Sequence, residues 1–188
     1  MANIGMKLLK YAILSEDETT YGIVKTMGKA ISASISINTS EGSLYADDTL
    51  AEFETSFQSA NVTLTLDDDN DTVFSEILGK TMDTTSGIVS SSINDNSPYI
   101  GFGYIVSKVK NNVKTYRAQF FPKIKFKPFI PDANTKGDSI TYGTPSIEGT
   151  TIANNSGIWE QHVDKTTEAE AITALTAFFV QVTPPIND

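Results

Sequence analysis

Ile31-Ser32-Ala33-Ser34-Ile35-Ser36-Ile37 alternates without a fault between apolar and small polar side chains. A period of two is the mark of a half-buried strand, so Ile31, Ala33, Ile35 and Ile37 are expected on a core face and Ser32, Ser34 and Ser36 on the opposite one. Asn61 to Leu66 repeats the pattern, with Val62, Leu64 and Leu66 against Asn61, Thr63 and Thr65. Between the two runs lies a segment, about 39–58, too long for a hairpin turn. It carries Leu44, Tyr45, Leu50, Phe53 and Phe57 among acids and small polar residues. Loops of this length that bear apolar residues are functional or docked on something, and this one is predicted to be an intersubunit arm, mobile until it docks.

Working outward, Asp67-Asp68-Asp69-Asn70-Asp71 ends the second strand. An EF-hand reading fails, because no Gly stands at the sixth position and no Glu at the twelfth. The better reading is a helix cap at Asp71 or a neighbour, with Val73, Phe74, Ile77 and Leu78 on one face and Gly79 as the stop. Gly79-Lys80-Thr81 is not the end of a phosphate loop, since the earlier glycine that motif requires is Phe74. Tyr99–Lys110 and Val113–Phe121 form a predicted β-hairpin across Asn111-Asn112. That turn pairs Gly103 with Phe120, Ile105 with Ala118, Phe102 with Phe121 and Val106 with Arg117. Ile124, Phe126 and Phe129 continue the pattern beyond Pro122, which marks a bulge or an edge. A turn-rich stretch follows at 132–138, then a strand around 145–153 and another through Trp159–Asp164. Thr167-Glu168-Ala169-Glu170 is a capping box, opening a helix with Ile172, Leu175, Phe179 and Val182 on one stripe that stops before Pro184. The fold class expected is mainly β, an antiparallel sandwich or barrel with a short central helix, a C-terminal helix and a long loop arm.

Charge is segregated along the 188 residues. No basic residue occurs between Lys29 and Lys80, whereas Lys108, Lys110, Lys114, Arg117, Lys123, Lys125, Lys127 and Lys136 face a single acid, Asp132. Exposed pairs within one copy are worth only about 0–1 kcal/mol each. An acidic segment meeting a neighbour's basic segment instead sets register and direction, in a head-to-tail contact that closes into rings or propagates. Such assembly is expected to weaken as salt rises. The net charge of −9 opposes a DNA-grasping surface. With 39% hydrophobic residues a core is possible, and no apolar run approaches the ~20 residues of a membrane helix. Met1-Ala2-Asn3-Ile4-Gly5-Met6 does not read as a signal peptide, so a soluble protein made in a cytoplasm is expected.

The chain has no cysteine and one histidine, His162, which reads as a surface residue of a strand. Thiolate zinc sites, a Cys nucleophile and His-based chemistry at any other position are therefore absent. Carboxylates are plentiful, but they cluster in loops and caps without the aromatic platforms a glycosidase site needs. No catalytic residue, metal ligand or cofactor site is assigned, and the protein is not expected to be an enzyme.

The order of blocks resembles the major tail proteins, or tail tube proteins, of long-tailed, non-contractile bacteriophages of Gram-positive hosts. The resemblance is carried by Ile4-Gly5-Met6-Lys7-Leu8-Leu9-Lys10-Tyr11-Ala12-Ile13-Leu14, Ser43-Leu44-Tyr45-Ala46-Asp47-Asp48 with Glu52, Leu64-Thr65-Leu66-Asp67, and Ile77-Leu78-Gly79. It continues through Pro98-Tyr99-Ile100-Gly101-Phe102-Gly103-Tyr104, Thr135-Lys136-Gly137-Asp138-Ser139 and Thr144-Pro145-Ser146-Ile147-Glu148-Gly149-Thr150. It implies a single domain over 1–188 with an N-terminal arm about 1–12, the intersubunit loop about 39–58 and a C-terminal helix about 167–180.

The implied function is a structural virion protein whose hexameric rings stack into the tail tube, the conduit for DNA ejection, assembled in the host cytoplasm. The implied partners are further copies of itself, the tape measure, tail terminator and distal tail proteins, and DNA in non-specific passage, with no membrane anchor. Interface residues expected on these grounds are Leu44, Tyr45, Ala46, Asp47, Asp48, Glu52, Phe53, Lys123, Lys125 and Lys127. Ser32, Ser34, Ser36, Asn61, Thr63 and Thr65 are expected to line the tube. The competing class is a β-sandwich binding module, such as a capsid decoration or carbohydrate-binding domain, for which the lone Trp159 is the only platform residue in view.

Overall fold

Asn111 and Asn112 both adopt positive φ, 50° and 61°, and close the hairpin on which the sheet is built. A computed structural model describes residues 2–131, 135 and 143–180. In chain order its elements are β1 (Ala2–Ile13), β2 (Lys25–Gly28), β3 (Ala30–Ala46), β4 (Thr49–Leu66), α1 (Asp71–Leu78), β5 (Thr81–Met82), β6 (Val89–Ser90), β7 (Ile100–Lys110), β8 (Val113–Phe126), β9 (Ser146–Thr151), β10 (Gln161–Lys165) and α2 (Glu168–Phe178). The fold is mainly β and antiparallel, with two short helices. Among the described residues one sheet runs in the order β2-β1-β7-β8-β9-β4-β3, with β10 also pairing with β8 and β5-β6 forming a separate small ladder.

The β7–β8 register is the one the turn dictates: Gly103 faces Phe120, Ile105 faces Ala118, Phe102 faces Phe121 and Val106 faces Arg117. Opposite Gly101 the ladder skips two residues of β8, Pro122 and Lys123. A proline that cannot donate to the ladder is accommodated there as a bulge. Both faces of this hairpin are covered. Phe102, Phe121, Ile124 and Phe126 join Leu9, Tyr11, Val62, Leu64 and Leu66 in an inner core. Ile105, Ala118 and Phe120 meet Ala12, Ala171, Leu175 and Phe179 in an outer core beneath α2.

The sheet curls around the inner core until β3 stands near β1 and β7. A cavity of about 280 Å³ remains between them, lined by Met6, Ser32, Ala33 and Tyr104 among others, and no ladder among the described residues closes it. The architecture is therefore a barrel left open along the edge of β3. Helix α1 packs Val73, Phe74, Ile77 and Leu78 into the inner core. Asn70 caps it, its side-chain oxygen accepting from the Thr72 and Val73 amides, and Gly79 ends it at φ 67°. A Cβ at Gly79 would lie 2.3 Å from the Asn96 carbonyl oxygen, so glycine is required twice over. Helix α2 opens with the predicted capping box between Thr167 and Glu170. Ala171, Leu175 and Phe179 form its buried stripe, and Ile172 is half-buried. Val182 and the turn-rich stretch 132–138, except position 135, fall outside the described residues.

Three expectations are corrected. The expected N-terminal arm is, over its described residues, a strand: Ala2–Ile13 is held between β2 and β7. Residues 39–58 are not a loop, because Thr39 faces Phe57 and the pairing continues to Ala46 and Thr49. Asp47 and Asp48, at φ 50° and 60°, supply the two-residue turn with positive φ that a tight hairpin favours. Finally, Ile31 and Ile37 do not enter the core and remain more than half exposed. Ile31 sits in a register shift between Ala30 and Ser32, and Ile37 lies where the β3–β4 hairpin leaves the body.

Candidate functional site

The register of three strands gathers the expected lining residues into one surface. Ser32 faces Thr65, Ser34 faces Thr63 and Ser36 faces Asn61 between β3 and β4. Across β4, Thr65 faces Ser146, Thr63 faces Glu148 and Asn61 faces Thr150 of β9. The rungs Ser32–Thr65–Ser146, Ser34–Thr63–Glu148 and Ser36–Asn61–Thr150 make a wall of short polar side chains interrupted by one acid, Glu148. The alternation behind it is obligatory, since Val62, Leu64 and Ile147 on the same strands are wholly buried. Thr150 Oγ1 donates to Asn61 Oδ1 at 3.2 Å and ties two strands of the wall together. The contribution of β9 was missed from the sequence, although Ser146, Glu148 and Thr150 alternate there with Ile147, Gly149 and Thr151 as visibly as the serines of β3 do.

The wall continues onto the projecting half of the hairpin, a two-stranded ribbon. From Ser32 to Ala46 β3 has no extra residue, so Ala33, Ile35, Ile37, Thr39, Glu41, Ser43 and Tyr45 share a single face. Tyr45 pairs with Leu50, Ser43 with Phe53 and Thr39 with Phe57, which places all four large apolar side chains of that face in line with the body's core. Leu44, Glu52 and Glu54 fall on the wall side. Tyr45, Leu50 and Phe53 are each more than half exposed, as is Leu44. Ala46, Asp47, Asp48 and Glu52 are exposed with them.

The ribbon acids Glu41, Asp47, Asp48, Glu52 and Glu54 make no ion pair among the described residues. Most of the described basic residues, however, are already engaged within the chain, although Lys114 and Lys127 remain exposed. Lys123 is 9% exposed and ion-paired with Glu18. Lys125 donates to Asn96 Oδ1 at 2.8 Å and lies over the Tyr99 ring. Lys127 pairs with Glu148 at 3.3 Å. Arg117 and Lys108 share Asp164. The basic segment is thus partly neutralised in space, because the fold brings Glu18, Glu148 and Asp164 to β8, while the ribbon acids stay unpaired among the described residues. Lys123 is a buried structural residue and not part of an exposed docking surface.

The polar end of the inner face is a network. Gln119 and His162 both contact Glu160 Oε1 at 2.7 Å. Burial, aided by the Glu160 charge, pushes the Tyr104 hydroxyl up to about 12. Burial and the neighbouring Arg117 lower the pKa of Lys108. His162 is exposed. Among the described residues no three His, Asp or Glu side chains converge as metal ligands, and no helix is long and apolar enough to cross a membrane.

No protein-family model matches this chain, and no curated protein is significantly similar to it.

Proposed function

We propose that this chain is a structural subunit that self-assembles into rings stacked as a phage tail tube, with the hydroxyl wall facing the bore. One observation carries the reading: part of the sheet's outer face is left bare of α2 and is lined by Ser, Thr and Asn, with the single acid Glu148, in register over three strands. A conduit must not hold what it conducts. Short hydroxyls offer weak, sequence-blind contacts, whereas exposed lysines would release counterions from DNA and bind it. On this wall Lys127 is paired with Glu148.

The ribbon supports the second half of the proposal. Tyr45, Leu50 and Phe53 form an exposed apolar face that no described part of the same chain covers. A further copy is the occupant that a repeating tube supplies at every subunit, and the contact is heterologous, as propagation requires. Hexameric rings, contacts with tape measure, terminator and distal tail proteins, and DNA passage belong to this proposal through the resemblance. Negative-stain microscopy and sedimentation velocity at high protein concentration test it. Tubes or rings of uniform bore support it, and a fixed small species at every concentration refutes it in favour of a binding module.

A further inference from the structure

Residues 39–56 are exposed at every position. Phe57 is the first ribbon side chain to regain cover, and it does so by stacking on Trp159, with ring centroids 4.5 Å apart and planes 11° from parallel. Trp159 is firmly mounted. It packs against the inner core, and it follows a turn in which Asn154 Oδ1 accepts from the Ser156 and Ile158 amides at 3.1 and 2.9 Å. The next residue, Glu160, is held by Gln119.

The ribbon side of the stack is built to bend. Asn38 faces Ser59 while Thr39 faces Phe57, so Gln58 has no opposite number. Bulges of this kind kink a strand pair and raise its twist. Beyond the bulge only two strands remain among the described residues, and a lone two-stranded ribbon has little stiffness of its own. We propose that Phe57 and Trp159 form a joint: while stacked they aim the ribbon, and when they part it swings as a unit about Gln58. An aromatic pair shifts an equilibrium by only about 2- to 10-fold beyond the area it buries. Such a joint is poised for redirection by a docking partner, which is the one point resting on the tube reading; the joint itself does not.

The chain has no cysteine, so two can be placed cleanly, by Ala46→Cys beside the turn at the ribbon tip and Thr173→Cys on the exposed side of α2. Spin labels at these sites in dilute, unassembled protein should give one narrow distance distribution. Phe57→Ala should broaden it at least twofold in width, whereas Trp159→Phe made in the parent, which keeps a ring for Phe57 to stack on, should retain most of the narrowness. Far-ultraviolet dichroism checks that each variant is folded. Trp159→Leu repeats the test should Phe57→Ala fail to fold. A distribution as narrow as the parent's in a folded variant without the stack overturns the joint. Because the measurement is made on unassembled chains, its failure leaves the tube proposal standing, and failure to form tubes leaves the joint standing.

Discussion

Arg117 and Asp164 face each other across β8 and β10, and the guanidinium meets the carboxylate with two parallel bonds, Nε to Oδ1 at 2.7 Å and Nη2 to Oδ2 at 2.8 Å. Lys108, only 10% exposed at its side chain, shares the same carboxylate at 3.8 Å. Two cations thus depend on one acid at the strand that connects the sheet to α2. Fork-to-fork pairing fixes geometry as well as charge.

Asp164→Asn should cost about 1–2 kcal/mol, between the values of exposed and buried pairs, because both cations lose their shared partner. The Arg117 hydrogen bonds hold the Asp164 carboxyl below the usual carboxylate range, with burial opposing them. A carboxyl depressed in the folded state stabilises above its unfolded pKa, about 3.9, and that contribution disappears as pH falls through the lower folded value. Urea melts from pH 6 down to 2 should show the parent losing its advantage over the Asn variant below about pH 4. A gap independent of pH would show that the ion pair contributes nothing to acid stability.

Gly103→Ala should loosen α2. A Cβ there would stand 2.6 Å from Leu175 Cδ1 and 2.7 Å from the Gln119 carbonyl oxygen, and the second neighbour is backbone. Overpacking of this kind costs about 1–3 kcal/mol. The loss should appear in thermal melts and in faster amide exchange of Ala171 and Leu175. Protection of α2 equal to the parent's would contradict the packing.

The parts of the fold legible in the sequence are those governed by neighbours in the chain. Asn111-Asn112 announces its hairpin, Thr167 with Glu170 announces α2, and Gly79 announces the end of α1. The ribbon was hidden by its own irregularities. Ala51 and Gln58 are extra residues in β4, so Leu50, Phe53 and Phe57 break the period of two that would have revealed a strand. The structural role of Lys123 was hidden for a related reason. Glu18 lies 105 residues from Lys123, and only the long-range pairing of strands brings such partners together.

Reversing the β8 lysines should separate structural from surface roles. Lys123→Glu sets a carboxylate against Glu18 in a nearly closed site and should cost about 3 kcal/mol or more. Lys125→Glu with Lys127→Glu should leave the melting temperature within a few degrees, since neither lysine is buried. Equal melting of both variants would remove the distinction.

Tyr45, Leu50 and Phe53 changed together to Ser should leave the monomer within about 1.5 kcal/mol of the parent, because each exposed position tolerates change to within about 0.5 kcal/mol. Assembly should nonetheless require at least about 100-fold more protein, at roughly 1 kcal/mol of lost burial per side chain. With the ribbon acids unpaired within the protomer, added salt should strengthen assembly by screening like charges, the opposite of what the segregated sequence suggests. Tube formation by the triple variant at the parent's concentration would exclude this face as the contact.

Ser34 is the most direct probe of the wall. It stands in the central rung with Thr63 and Glu148, and its neighbours Ala33 and Ile35 pack against the inner core. No other cysteine interferes with Ser34→Cys. The substitution is nearly isosteric and exposed, so fold and assembly should survive it. In the free chain, small and very bulky maleimides should react at similar rates. In assembled tubes the small reagent should still enter, while the bulky one should slow at least tenfold except at open ends. Lys in place of Ser34 and Thr63 should then leave tubes intact while making them retain duplex DNA at low salt, with the retention lost as salt rises. Bulky labelling that runs as fast on tubes as on free chains would place Ser34 on the outside, and with it every residue of the wall.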